Sequence, residues 1–332
     1  MKVVIAGGTG ALGRRLAADF ANQGDAVTIL TRAPRDDIAL RQVQWDGRTV
    51  GAWASELSGA LVVNLAGQLV DRPPSRRNVA LLRSSRVDAT RALVAAAVDL
   101  DTPPALWLQM STTAIYGDAG QGVVAEGHRV ADGPPQMPGV AVPWEAAAAD
   151  ARADRVVVMR TGIVLDNGTP AFERLTQLTR LGLGGRIAGG QQWVSWIHVA
   201  DFLGAVRFLR HSTLAGVVHV TSPAPIQNVA MMRTLRAALH RPWSPPTPKL
   251  LVRLGALAMR SDAALALTGR RCVPERLTAA GFDFTFPTFA DAVQDLLAAR
   301  VRSGTPRSWQ LRSTTRSCTP AIAKRPPRSS AR

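Results

Sequence analysis

The chain is poor in the residues that build covalent or metal frameworks. It carries two cysteines, Cys272 and Cys318, in 332 residues. Two thiols so far apart exclude a disulfide scaffold and a cysteine-based zinc cluster, and they fit a reducing compartment. The five histidines show no ligand spacing, so no metal is expected. No apolar run is long enough to span a bilayer, and no charged leader with a cleavage site opens the sequence. These shortages predict a cytoplasmic protein with neither a metal nor a membrane among its partners. Tyrosine is scarcer still: Tyr116 stands alone, which narrows the acid–base chemistry open to the chain.

Acids are also few, 24 Asp and Glu against 40 Lys and Arg, for a formal charge of +16. From Arg302 onward there are eight Lys or Arg and no acid. Residues 303–332 are rich in Ser, Thr and Pro without periodicity and read as a disordered basic tail. Such a tail can touch polyanions without sequence choice. The body is only moderately basic, so nucleic acid is otherwise not an expected partner.

What is present begins at once. Lys2-Val3-Val4-Ile5-Ala6 is an apolar strand of the kind buried in parallel sheets. It runs into Gly7-Gly8-Thr9-Gly10-Ala11-Leu12-Gly13, and a helical pattern follows, with Leu12, Leu16 and Phe20 on one face and Gly24 placed to end it. A second apolar strand, Ala26-Val27-Thr28-Ile29-Leu30, completes a βαβ unit. Glycines at a strand–helix turn let a phosphate approach the backbone, and the free amides and dipole of the helix then hold it. The segment predicts a dinucleotide site. At the end of the second strand, where an NAD enzyme carries an acid for the ribose hydroxyls, stands Arg32, whose fork of donors suits a phosphate. NADP is therefore favoured as cofactor over NAD.

Further along, strands and helices alternate. Residues 61–67 and 105–110 read as strands, 78–100 as a long helix with Leu82, Arg86, Leu93 and Ala97 near one face, 143–153 as a helix opened by Pro143, and 155–165 as one strand. This order predicts an α/β, Rossmann-like doubly wound parallel sheet, whose ligands bind beyond the carboxyl ends of the strands. Gly7, Gly67, Thr112 and Thr161 fall at such ends and should surround one cleft. The nucleotide domain is placed at about 1–165, with later strands returning from about 195–223. A smaller C-terminal α/β substrate lobe is placed at about 166–299.

With these segments in view, the chain resembles the extended short-chain dehydrogenase/reductase superfamily in its NAD-dependent epimerase/dehydratase branch. Within it the chain is similar to the subfamily termed "epimerase family protein", of unknown substrate. The carrying segments are the glycine loop, Val63-Asn64-Leu65-Ala66-Gly67, Ser84-Ser85-Arg86-Val87-Asp88-Ala89-Thr90, Ala114-Ile115-Tyr116-Gly117-Asp118, Trp144-Glu145 and Arg160-Thr161-Gly162. The most distinctive are Leu181-Gly182-Leu183-Gly184-Gly185 and Gln192-Trp193-Val194-Ser195-Trp196-Ile197-His198. The likeness covers about residues 1–299.

The resemblance implies that Gly7, Thr9, Gly10, Ala11, Leu12 and Gly13 hold the pyrophosphate and Arg32 the adenosine phosphate. It implies that Asn64, Leu65, Ala66 and Gly67 line the ribose and nicotinamide, with Arg160, Thr161 and Gly162 at a neighbouring strand end. Thr112 falls where the superfamily keeps a catalytic Ser or Thr. The helices near 78–98 and 143–153 pair across a homodimer in relatives. One departure matters. The superfamily's Tyr-x-x-x-Lys pair is missing: Ala141 stands at the Tyr position and Glu145 at the Lys position. Proton handling then falls to Glu145, as a carboxyl with a raised pKa, or to Tyr116; the alternatives are that Glu145 is a structural acid that caps or pairs within its helix and that Tyr116 packs at its strand end. Trp193 and Trp196 form either a substrate wall or lobe packing, and His198 either contacts substrate or orders a loop. Two functions remain: an NADP(H)-dependent oxidoreductase or epimerase-like enzyme on a small, nucleotide-sugar-like substrate, or a catalytically silent NADP(H)-binding sensor or interaction protein.

Overall fold

The computed structural model describes residues 1–302; residues 303–332, where the basic tail was expected, lie outside the described residues. The strands in chain order are β1 (Lys2–Ala6), β2 (Ala26–Thr31), β3 (Arg41–Gln44), β4 (Leu61–Asn64), β5 (Leu106–Thr112), β6 (Val123–Val124), β7 (Val156–Thr161) and β8 (Ile163–Leu165). They are followed by β9 (Trp193–Val194), β10 (Trp196–His198), β11 (Gly216–Val220), β12 (Ile226–Gln227) and β13 (Arg271–Cys272). Seven of them form one sheet in the order β11-β7-β5-β4-β1-β2-β3, and every pairing in it is parallel. The order reverses between β1 and β4, which opens a crevice at the carboxyl ends where ligands bind in such sheets.

The helices are α1 (Ala11–Asn22), α2 (Arg76–Val98), α3 (Pro138–Ala146), α4 (Pro170–Arg180), α5 (Val199–His211) and α6 (Asn228–Ala238). Then come α7 (Lys249–Ala258), α8 (Ala264–Leu267), α9 (Glu275–Ala279) and α10 (Phe289–Arg302). Both sheet faces are covered. On one, Leu16 and Phe20 of α1 and Phe202 and Leu209 of α5 pack on Ile5, Ile29 and Leu108. On the other, Leu93 and Ala97 of α2 join Trp53, Val62 and Trp107. Leu16, Phe20 and Leu93 face inward as their helical spacing predicts, and Gly24 follows the end of α1 with φ +82°. A separate apolar cluster is built on Phe172, Trp196, Met232, Leu235 and Phe289, within the stretch where the sequence places a C-terminal lobe.

Two elements differ from the sequence reading. The strand expected over 155–165 is two strands. Gly162 breaks it: a Cβ there would lie 2.9 Å from the Ser195 carbonyl oxygen. β7 stays in the main sheet and β8 leaves it to pair with β10. The helix expected from Pro143 starts instead at Pro138, with Pro143 inside it. Pro143 cannot bond the Gly139 carbonyl four residues back; the Arg83 Nε donates to that oxygen at 2.9 Å. This bond also ties α3 to α2.

Candidate functional site

The glycine turn is built so that side chains are excluded from its inner side. Gly7 has φ +82° and would push a Cβ against Leu65 O at 2.9 Å; a Cβ on Gly13 would meet Gly7 O at 2.5 Å. Gly10 is different, with only Gly7 O near, at 3.4 Å, and open space outside. It is the N-cap of α1, and no side chain caps that helix. The first bonded amide is that of Arg14, on the Gly10 carbonyl. The amides of Ala11, Leu12 and Gly13 therefore keep the free donors and positive end of the helix dipole. Thr9 contributes its carbonyl to Arg14 Nε at 3.1 Å, which pins the loop.

Arg32 stands exposed just after β2, and its guanidinium makes no ion pair or hydrogen bond among the described residues. Its neighbours are committed: Arg14 and Arg35 both bond Asp37. Arg32 also borders a surface cleft of about 900 Å³ along the outer edge of β3, lined further by Trp45, Asp46 and Trp53. That cleft begins at Arg32 and lies beyond the carboxyl ends of β2 and β3.

The loop after β4 is held from behind. Asn64 is fully buried; its amide donates to Thr90 Oγ1 at 2.8 Å and to Gln109 Oε1 at 3.0 Å, and its oxygen accepts the Ala66 amide at 3.1 Å. Asn64 thus positions Leu65, Ala66 and Gly67 without offering its own side chain to a ligand. Gly67 packs so closely on Arg86 that a Cβ would lie 2.9 Å from the Arg86 side chain.

β5 reaches three residues beyond its last pairing with β4, from Gln109 to Thr112, and carries Thr112 over the crevice. Thr112 Oγ1 accepts the Ala114 amide at 3.1 Å, which leaves its own hydrogen free to donate. Behind it runs a buried polar chain. Ser111 Oγ donates to Glu145 Oε1 at 2.5 Å, and Arg160 clamps Glu145 with Nε–Oε1 of 2.9 Å and Nη2–Oε2 of 2.7 Å. Arg160 Nη1 donates to the Tyr116 oxygen at 2.8 Å, and that oxygen lies 2.6 Å from His219 Nε2. His219 Nδ1 is 2.9 Å from the Val273 carbonyl. A carbonyl only accepts, so Nδ1 bears the imidazole proton, Nε2 accepts, and the Tyr116 hydroxyl donates. Burial pushes the Tyr116 phenol up to about 12 despite Arg160, and burial holds His219 below its ordinary value. Burial works against the Arg160 cation, but Glu145 outweighs it and raises its pKa.

These contacts place the expected site residues in two groups. The glycine loop, Arg32, Leu65, Ala66, Gly67 and Thr112 gather at the strand ends. The others are committed elsewhere. Arg160 is expended on Glu145 and Tyr116. Thr161 is buried and donates to the Met159 carbonyl, and Gly162 packs against Ser195. Of the two readings for Glu145, the paired structural acid fits its contacts, since both its oxygens are occupied by the Arg160 guanidinium. Of the two readings left open for Trp196, packing fits its place: it is fully buried against Phe289, with Nε1 donating to Ala224 O at 3.0 Å. His198 is also buried and caps α5 by accepting the Ala200 amide. Asp201, beside it, orders the loop at Thr285 and Phe286 by accepting both amides. Trp193 is half-buried under Arg271, 4.5 Å from ring centre to guanidinium carbon. Sequence reading missed Ser111 and His219. His219 sits in an apolar strand, Gly216-Val217-Val218-His219-Val220, and an inward polar residue there needs a partner; the partner is 103 residues away.

Among the described residues no group of three or more His, Cys, Asp or Glu is placed to hold a metal ion, and no helix is long and apolar enough to cross a membrane.

Residues 3–138 match the model of the NAD-dependent epimerase/dehydratase family, and residues 247–296 match a domain of unknown function, DUF1731. Epimerase family protein SDR39U1 of Bos taurus is 32% identical over 306 residues, covering 90% of this chain and 100% of that protein. The crystal structure of human epimerase family protein SDR39U1 (isoform 2) with NADPH superposes with a TM-score of 0.80 at 28% identity, over 90% of this chain and 99% of that one. A nucleoside-diphosphate sugar epimerase from Corynebacterium glutamicum superposes with a TM-score of 0.70 at 25% identity, over 89% of this chain and 57% of that one.

Proposed function

Because the chain belongs to the NAD-dependent epimerase/dehydratase family, we propose that it is an NADP(H)-dependent oxidoreductase or epimerase-like enzyme acting on a small substrate of the nucleotide-sugar class. The observation that carries this reading is the uncapped start of α1 in a glycine cradle, with an unpaired guanidinium at the end of β2. Amides of Ala11, Leu12 and Gly13 would bind the pyrophosphate, and Arg32 the extra phosphate of the adenosine ribose. The NADPH found with the human relative and the sugar-nucleotide name of the Corynebacterium neighbour support the two halves of the proposal.

The cofactor supplies hydride transfer at its nicotinamide. The chain's own part is positioning. Asn64 fixes the loop at Leu65 to Gly67. Thr112 donates a hydrogen bond to a substrate oxygen above the crevice. Glu145 and Tyr116 act from behind: both hold Arg160, and the resulting charge-neutral network keeps the polar groups behind Thr112 in place. Burial pushes the Tyr116 phenol up to about 12 and keeps it protonated at neutral pH, and its oxygen is taken up by Arg160 and His219, so Tyr116 serves as a hydrogen-bonded wall. Leu81 of α2 and Val142 of α3, both exposed, support a homodimer through these helices.

The sealing of Glu145 and Tyr116 favours a second reading, an NADP(H)-binding protein without turnover. Calorimetry with NADPH and NADH, followed by assays of nicotinamide absorbance and of product formation with nucleotide sugars, ketones and aldehydes, separates the two. Conversion of any substrate that stops in Thr112→Val supports the enzyme. Tight NADPH binding with no product anywhere supports the sensor, and no heat with either coenzyme refutes both.

A further inference from the structure

One helix of the C-terminal stretch is turned inside out. α7, Lys-Leu-Leu-Val-Arg-Leu-Gly-Ala-Leu-Ala, turns inward the buried Ala256, with Val252, one turn before it, and Gly255 half-buried on the same side. Its large apolar side chains point the other way. Leu250, Leu254 and Leu257 follow one another at i, i+4 and i+7, with Leu251 beside them; they are 66%, 53%, 71% and 55% exposed. Amphipathic helices of globular proteins bury the leucine stripe and expose the small or polar one. Here the arrangement is reversed, and the exposed stripe is contiguous, which marks an interaction surface.

The charge around it selects the occupant. Lys249, Arg253 and Arg260 flank the stripe along one side, exposed and without an ion pair among the described residues. From Phe202 to Ser261 the sequence contains no Asp or Glu. The helix itself carries no acid, and the two acids beside its end are committed, Asp71 to Arg174 and Ser261, and Asp262 to Gln136. Leucines facing outward with cations along their margin are the makeup of a helix that lies in the headgroup region of an anionic bilayer. Trp243, 76% exposed in the segment leading into α7, adds an amphipathic ring suited to the same depth. The face also has a physical link to the crevice. Ser261, just past the helix, donates to Asp71 Oδ1 at 2.6 Å, and Arg174 Nη1 holds the same oxygen at 2.7 Å. Asp71 follows Leu69 and Val70, two more exposed apolar residues, in the loop that continues from Gly67.

We propose that α7 is a peripheral membrane-docking element that places the protein on anionic lipid surfaces with its leucines in the interface. The sequence reading expected no membrane partner because it found no run long enough to span; a helix lying on the surface needs no such run, and the proposal departs from that expectation here. The inference is independent of the cofactor.

The test is co-sedimentation of the full chain with vesicles of phosphatidylcholine mixed with phosphatidylglycerol, and with vesicles of phosphatidylcholine alone. Binding to the anionic vesicles is expected, weakened by salt. The variant Leu250→Ser/Leu254→Ser/Leu257→Ser should bind at least about tenfold more weakly, with its melting temperature and NADPH affinity unchanged because these side chains touch no core. Lys249→Glu/Arg253→Glu should lose anionic binding and keep its fold. Three results overturn the proposal: no vesicle binding; binding that persists in the leucine variant, which assigns it to basic residues elsewhere; or a homodimer by light scattering that the leucine variant dissociates, which assigns the face to a second copy of the chain.

Discussion

The two ends of the crevice are made by opposite means. At the glycine turn, polar groups have no partner among the described residues: three amides lack an acceptor and Arg32 a carboxylate. Beneath Thr112 every group is paired, from Ser111 through Glu145, Arg160, Tyr116 and His219 to the Val273 carbonyl. Unpaired donors near solvent cost little, because water serves them until a ligand replaces it. Unpaired groups in the interior cost the whole desolvation, so an interior network must close on itself. The comparison teaches that recognition capacity lies where the chain leaves hydrogen bonds unmade, and that the polar residues with the richest contacts need not be the ones that meet a ligand.

The sharpest way to break the contrast is to fill the open end. Gly13→Val would place a side chain where a Cβ already lies 2.5 Å from a backbone oxygen. Calorimetry should detect no NADPH binding. Next in size is opening the closed end. Glu145→Gln removes the partner of a buried guanidinium, a loss of about 3 to 5 kcal/mol, read as a lower denaturant midpoint. Equal stability of this variant would show that the chain is not sealed as described. Arg32→Ala should weaken NADPH by about 10- to 100-fold, the range of one charge-assisted bond, and leave NADH unchanged. The smallest effect is that of pH. The folded His219 has a depressed pKa, so the unfolded chain binds its proton more readily. Its contribution is therefore complete above about 6.5 and is lost as pH falls through the lower folded value, with a slope of at most about 1.4 kcal/mol per unit. Melting curves between neutral pH and pH 5 should show it, and His219→Asn should flatten the slope. Tyr116 runs the other way: its contribution holds below about 10 and is lost as pH rises towards 12.

The βαβ start was legible because strand, glycines and helix are adjacent and each follows local rules. So was the inward face of α2. The break at Gly162 was not, since an apolar run says nothing about which sheet it joins; the reason lies in the Ser195 backbone, brought there by the return of the chain. Pro143 misled because proline commonly opens helices, and only the contact with Arg83 shows how one survives inside. Trp196 and His198 lie in a distinctive segment, yet that distinctiveness reflects an apolar cluster and a cap. The Arg160–Glu145 pair joins residues from a strand and a helix, each unremarkable alone, and the loss of the Tyr-x-x-x-Lys pair was its one trace.

Because Tyr116 is the chain's sole phenol, the protein carries a built-in optical reporter. Its phenolate difference spectrum in the ultraviolet arises from one place, the middle of the chain from Ser111 to Val273. Any ligand, substitution or subunit contact that loosens that interior will be registered as earlier ionisation, without a label and without knowledge of the reaction.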